Sequence, residues 1–162
     1  TTLKFFMAEL SLVLFSNYLS DNISSICGNE YVHDEDNHCA HFVSHVMGYH
    51  FGYTCRKHTG KGAGDGATVR VHELFEQCPK VGEWKDKSSE DCLVFITKAW
   101  AVNIATKRMT NISKKHVGIC FNNTIYHYSN TLDKVVSQTP EEFSKHYKGE
   151  GFKMFFGTFP EV

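Results

Sequence analysis

The chain has 162 residues, enough for one hydrophobic core that folds without metal or disulfide staples. Its 41% hydrophobic, 14% aromatic and 22% charged residues are those of a globular protein, which excludes a fibrous or disordered chain. A formal net charge of -1 removes the electrostatic case for nucleic acid or an anionic membrane as partner.

In chain order, TTLKFFMAELSLVLF comes first, a lysine followed by an apolar run, as in a secretory leader. Glu9 interrupts that run and no small-residue cleavage site follows. Leu3, Phe6, Met7, Leu10, Val13 and Leu14 recur at helical spacing, which predicts the buried face of an amphipathic helix. No apolar run is long enough to span a bilayer, so the protein is expected to be soluble. After a polar connection that includes the acidic run Asp34, Glu35 and Asp36, the stretch NHCAHFVSHVMG places Cys39 at the start of a second helix. Ala40, Val43, Val46 and Met47 mark its apolar face.

RKHTGKGAGDGA, from Arg56 to Ala67, reads as a flexible glycine-rich loop bordering a cleft. It lacks the Gly-Lys-Ser/Thr ending of a phosphate-binding loop. TVRVHELFEQC, from Thr68, predicts a short helix stopped at Pro79. Beyond Trp84 the period changes, and CLVFITK, HVGICF, TIYHYS, KVVSQT and KMFFGTF read as strands. Asn122 and Asn123 mark a tight hairpin between the second and third. Thr139, Pro140 and Glu142 spell the N-cap, first position and capping box of one more helix. The expected class is α+β, a single domain over 1–162. A helix and connection over 1–36 precede a nucleophile helix over 37–51, and a sheet over 92–159 carries the histidines.

Cys39 is the candidate nucleophile. A helix N-terminus stabilises thiolate, and free amides there can collect the negative charge of an oxyanion, with the Cys39 amide as one donor. His116, at the start of a strand, is the candidate base. His127 on the next strand is placed to fix its tautomer, a role that Asn130 or a water can also fill. His38, His41 and His45 read as rim or solvent-facing residues. His41 and His45 share a helix face, but a zincin would need glutamate where Phe42 stands, so neither metal nor cofactor is expected.

Six cysteines, at 27, 39, 55, 78, 92 and 120, leave five once Cys39 is reserved for chemistry. At least one disulfide among those five is expected, and with it an extracellular destination. The sequons at Asn22, Asn111 and Asn122 are compatible with secretion.

A helix-initial cysteine, a later His-Val-Gly-Ile strand and a polar residue on the next strand resemble the NlpC-type and CHAP papain-like amidases of bacterial cell walls. NHCAHFVSHVMG together with ATVRVHELFEQCPKVGEW resembles more narrowly the second family of type VI secretion amidase effectors, and above all their domesticated relatives in ticks and mites. The resemblance runs from about Asn37 to Phe159. It implies a papain-like fold and cleavage of peptidoglycan stem-peptide crosslinks, between D-alanine and a diamino acid, by Cys39 and His116. The surplus of cysteines departs from a bacterial effector and favours a secreted animal version, a monomer acting on bacterial peptidoglycan. Asn37 and His38 beside the nucleophile, and Lys61 in the glycine-rich loop, are the expected substrate contacts. Two other classes stay open. One is acyl transfer of the lecithin retinol acyltransferase type, whose Asn-Cys-Glu-His-Phe motif is faintly similar to NHCAHF although its histidine precedes the cysteine. The other is an inactive module that binds cell-wall peptides.

Overall fold

A computed structural model describes residues 14–33 and 36–162. The expected N-terminal helix therefore lies outside the described residues but for its end, where 14–18 are helical. Leu14, assigned to the buried face, is 43% exposed there, and the adjacent Phe15 is the residue that enters the core. No helix among the described residues is long and apolar enough to cross a membrane.

Helix α1 runs Cys39–Met47 and ends at Gly48, whose left-handed φ of 78° lets its amide close on the Ser44 carbonyl. Helix α2 is Cys55–Thr59, capped by the Thr54 side chain on the Lys57 amide. Arg56 to Thr59 are thus helical rather than loop. The remaining glycine-rich turn is tied down, with Arg56 Nε donating to the Gly62 carbonyl and Asn29 Nδ2 to that of Lys61, each at 3.0 Å. Helix α3, Val71–Gln77, agrees with the sequence and ends before Pro79.

A six-stranded sheet follows, antiparallel throughout. Its strands are β1 (Val81–Glu83), β2 (Cys92–Lys98), β5 (Lys115–Phe121), β6 (Thr124–Ser129), β7 (Lys134–Gln138) and β8 (Phe152–Gly157). Their order across the sheet is β1-β8-β2-β5-β6-β7. A separate hairpin, β3 (Val102–Asn103) with β4 (Arg108–Met109), and the short β1 carry too few alternating residues to stand out in the sequence. The β5–β6 turn has positive φ at both Asn122 (51°) and Asn123 (61°), the backbone of a type I′ turn. Asparagine tolerates that region better than most residues. Helix α4, Pro140–Ser144, carries the expected capping box between Thr139 and Glu142.

Strand alternation divides the sheet into two faces. Leu93, Phe95, Val117, Ile119 and Tyr128 join α1 and α3 in the main core, where Phe75 meets Phe95 edge to face at 5.2 Å. Such a ring pair adds roughly 0.5–1.5 kcal/mol to the area it buries. Val94, Ile96, Cys120 and Ile125 point the other way and are covered by Phe143 of α4. The architecture is α+β, with helices on both faces of an antiparallel sheet.

Candidate active site

Two asparagines build the start of α1. Asn37 Oδ1 accepts the Cys39 amide at 3.0 Å, and Asn130 Oδ1 accepts the His38 amide at the same distance. Asn130 Nδ2 donates to Asn37 Oδ1, again at 3.0 Å, so residues 93 positions apart in the chain lock one helix end. Asn130 therefore holds the start of the helix that begins at Cys39 and, among the described residues, makes no hydrogen bond to His116. The Cys39 amide, expected as an oxyanion donor, is engaged by Asn37 in this state.

Cys39 is fully buried. Burial pushes its thiol up to about 11, against the backbone amides of Val117 and Ala40, which stabilise the thiolate. The helix terminus alone was expected to lower this pKa; desolvation is the larger effect, and the resting sulfur is a neutral thiol.

The histidines form a chain of fixed tautomers. The Gln138 carbonyl accepts from His127 Nε2 at 2.6 Å, which leaves His127 Nδ1 as an acceptor. His116 Nε2 donates to that nitrogen at 2.8 Å. His116 Nδ1 is then a bare lone pair, buried and without a hydrogen-bond partner among the described residues. Burial, with the neighbouring His127 and His146, holds His116 well below its ordinary pKa, so the imidazole is neutral at physiological pH. His146 stacks on it at 3.9 Å with ring planes 13° apart. Segment 145–151, with positive φ at Gly149 and Gly151, carries this covering ring.

His127 lies across β5 because position 118 is glycine. A Cβ there would sit 2.8 Å from Ile125 Cγ2 and 3.1 Å from His127 Cβ. Gly118→Ala is expected to destabilise the fold by about 1–3 kcal/mol through overpacking and to displace His127, read by denaturant unfolding and by loss of the His116–His127 hydrogen bond in NMR spectra.

The structure joins His116 to His127 but forms no hydrogen bond between Cys39 and His116. Alternation is the reason: Val117 faces α1, so His116 faces α4. Between the two sites, β5 and β6 part at a fork. Pairing of β5 with β6 runs from Phe121↔Thr124 to Ile119↔Tyr126 and stops, while β6 stays paired with β7 as far as Ser129. The Cys39 thiol lies against the amide of Val117, in the parted segment and one residue from His116.

Other expected site residues fare differently. His38 and His41 are fully buried and His45 half-buried, not rim residues, because α1 is covered on this side by the segment around Cys27 and by α2. His38, expected at the substrate, instead bonds the His33 carbonyl and His41. Lys61 is exposed and pairs with Glu30 at 2.9 Å, beside a groove lined by Tyr31, His33, His58 and Thr59. All six cysteines are free; Cys27 and Cys55, two of those expected to bridge, lie 3.9 Å apart, well beyond a disulfide bond. Gln138 and His146 escaped the sequence reading. Gln138 lies opposite Ile125 in the β6–β7 register, on the His127 face, so an alignment of the two strands would have revealed it.

Burial also lowers His127 from 6.5 to about 4, with the Gln138 bond opposing, and lowers His146. With folded values below unfolded ones, the unfolded chain binds more protons as acidity rises. The histidine contribution to stability is therefore expected to be flat above the unfolded histidine value and to fall as pH drops from about 6.5 to about 4. His127 alone accounts for a loss on the order of 3 kcal/mol, measured by denaturant titrations across that window.

The chain matches no protein-family model, no curated protein and no solved structure.

Proposed function

We propose that this chain is a cysteine amidase, with Cys39 as nucleophile, His116 as base through Nδ1, and His127 and Gln138 as positioning residues. The observation that carries the reading is the Gln138–His127–His116 chain, which leaves one bare, buried nitrogen on the residue next to Val117, whose amide faces the Cys39 thiol. A core histidine serving packing alone would be expected to satisfy both nitrogens.

Reaction requires the 145–151 segment to move and the thiol to turn from the Val117 amide towards Nδ1. His116 takes the thiol proton, and sulfur attacks the scissile carbonyl carbon. The amide of Cys39 stabilises the oxyanion once Asn37 releases it. Imidazolium then protonates the leaving amine as the C–N bond breaks. Water, deprotonated by the same nitrogen, attacks the thioester carbonyl, and the thiol is restored.

The papain-like fold and the substrate rest on the resemblance of NHCAHF and HVGICF to cell-wall amidases. On that basis the substrate is the peptidoglycan crosslink between D-alanine and a diamino acid, and the protein a secreted antibacterial factor. Digestion of purified sacculi followed by chromatography tests this: crosslinked dimers disappear while monomers persist. Cleavage within monomer stems would refute the crosslink assignment, and intact sacculi with altered lipid would favour acyl transfer. The sealed thiol favours one rival, an inactive module that binds sacculi and leaves them intact.

A further inference from the structure

On the flank of α1 away from the sheet fork, Cys27, His41, His45 and Cys55 converge, each offering one ligand atom, with all four atoms within 4.8 Å of one another. We propose that these four side chains bind a structural zinc ion. Tetrahedral zinc, with Zn–S near 2.3 Å and Zn–N near 2.05 Å, requires separations of about 3.8 Å between sulfurs, about 3.6 Å from sulfur to nitrogen and about 3.4 Å between nitrogens. The corresponding distances are 3.9 Å for Cys27 to Cys55, 3.8 Å for Cys55 to His45 Nε2, and 3.1 Å between the two imidazole Nε2 atoms.

The surroundings are those of a ligand set. His38 Nε2 donates to the His33 carbonyl at 2.6 Å, which makes its Nδ1 an acceptor for His41 Nδ1–H at 3.0 Å. That bond fixes the His41 tautomer and leaves Nε2 unprotonated and aimed into the cluster, 3.1 Å from His45 Nε2, the outer-shell arrangement typical of metal-bound histidine. Both sulfurs also accept backbone amides, Cys27 from Asn29 at 3.4 Å and Cys55 from Ala67 at 3.2 Å. His45 and Asn29 border a groove beside Gly64 and Asp65, which supplies an entry path.

Without an ion, the Cys55 thiol donates to Asn29 Oδ1 at 3.3 Å; on binding, both thiols lose their protons to solvent and zinc takes their place. Four protein ligands leave no open position, so the ion ties α1, the start of α2 and the segment at Cys27 together rather than acting in catalysis. It would hold from behind the helix that begins with Cys39, a role independent of the proposed amidase activity.

The test is metal content of the full chain expressed in zinc-containing medium, alongside Co(II) titration of the metal-stripped protein and peptide mapping without reduction. One zinc per chain after gel filtration, visible tetrahedral cobalt–thiolate absorption, loss of both in Cys55→Ser, and a lower Tm in chelator are expected. The wild-type cobalt spectrum stands alone should Cys55→Ser not fold. A chain with free thiols that retains no zinc, zinc retained by Cys55→Ser, or a Cys27–Cys55 disulfide in the recovered protein would each overturn the assignment.

Discussion

Cys39→Ala will abolish turnover of crosslinked peptidoglycan while leaving the fold intact, lowering kcat by a factor on the order of 10⁴ to 10⁶. The sulfur forms the acyl intermediate, and every later step of the proposed cycle passes through it. Removing it leaves a small void in a buried site, a stability cost that unfolding measurements separate from the kinetic loss. Because the resting thiol is sealed and neutral, alkylating reagents are expected to label it slowly until substrate or mild denaturant exposes it. A Cys39→Ala protein that releases muropeptides at the wild-type rate would remove the mechanism altogether.

His127→Phe should have the next largest effect. A flat aromatic ring, somewhat larger, still fills the site, but His116 Nε2–H loses its acceptor and Gln138 its donor, so the tautomer that leaves Nδ1 bare is no longer enforced. A fall in kcat of roughly 10² to 10⁴ with little change in KM is expected, since a base in the wrong tautomer binds substrate normally and accepts no proton. His127→Asn, whose side-chain carbonyl can accept from His116, should recover part of the rate. Loss of binding without loss of kcat, or no recovery with asparagine, would assign His127 to the cleft wall.

The five longer strands, the Asn122-Asn123 turn, the Thr139 capping box and the helix beginning at Cys39 are legible because each rests on local chemistry: alternation, a turn that tolerates positive φ, a capping side chain. What the sequence hid is set by register and burial. Alternation along HVGICF puts His116 and Val117 on opposite faces, yet which face receives α1 is decided only by packing, so the unmade contact between Cys39 and His116 could not be foreseen. Burial likewise reversed the expected direction of the Cys39 pKa. His38, His41 and His45 read as surface residues because a helix of 3.6 residues per turn carries its apolar residues on one face. The coverage of their face by Cys27 and Cys55, 10 to 18 positions away from His41 and His45, has no periodic signature. Gln138 is the polar end of a strand in sequence, and only its register with Ile125 points it at His127.

Central to this account is that Cys39 carries the acyl group between cleavage and hydrolysis. Purified protein mixed with crosslinked muropeptide dimer, quenched in acid within the first turnovers and examined by intact-mass and peptide mass spectrometry, tests it most directly. The mass of the acyl donor less the departing amine should appear on the peptide containing Cys39, should vanish in Cys39→Ala, and should be discharged by hydroxylamine. Crosslinks cleaved with no adduct on Cys39, or an adduct on another cysteine, would contradict it.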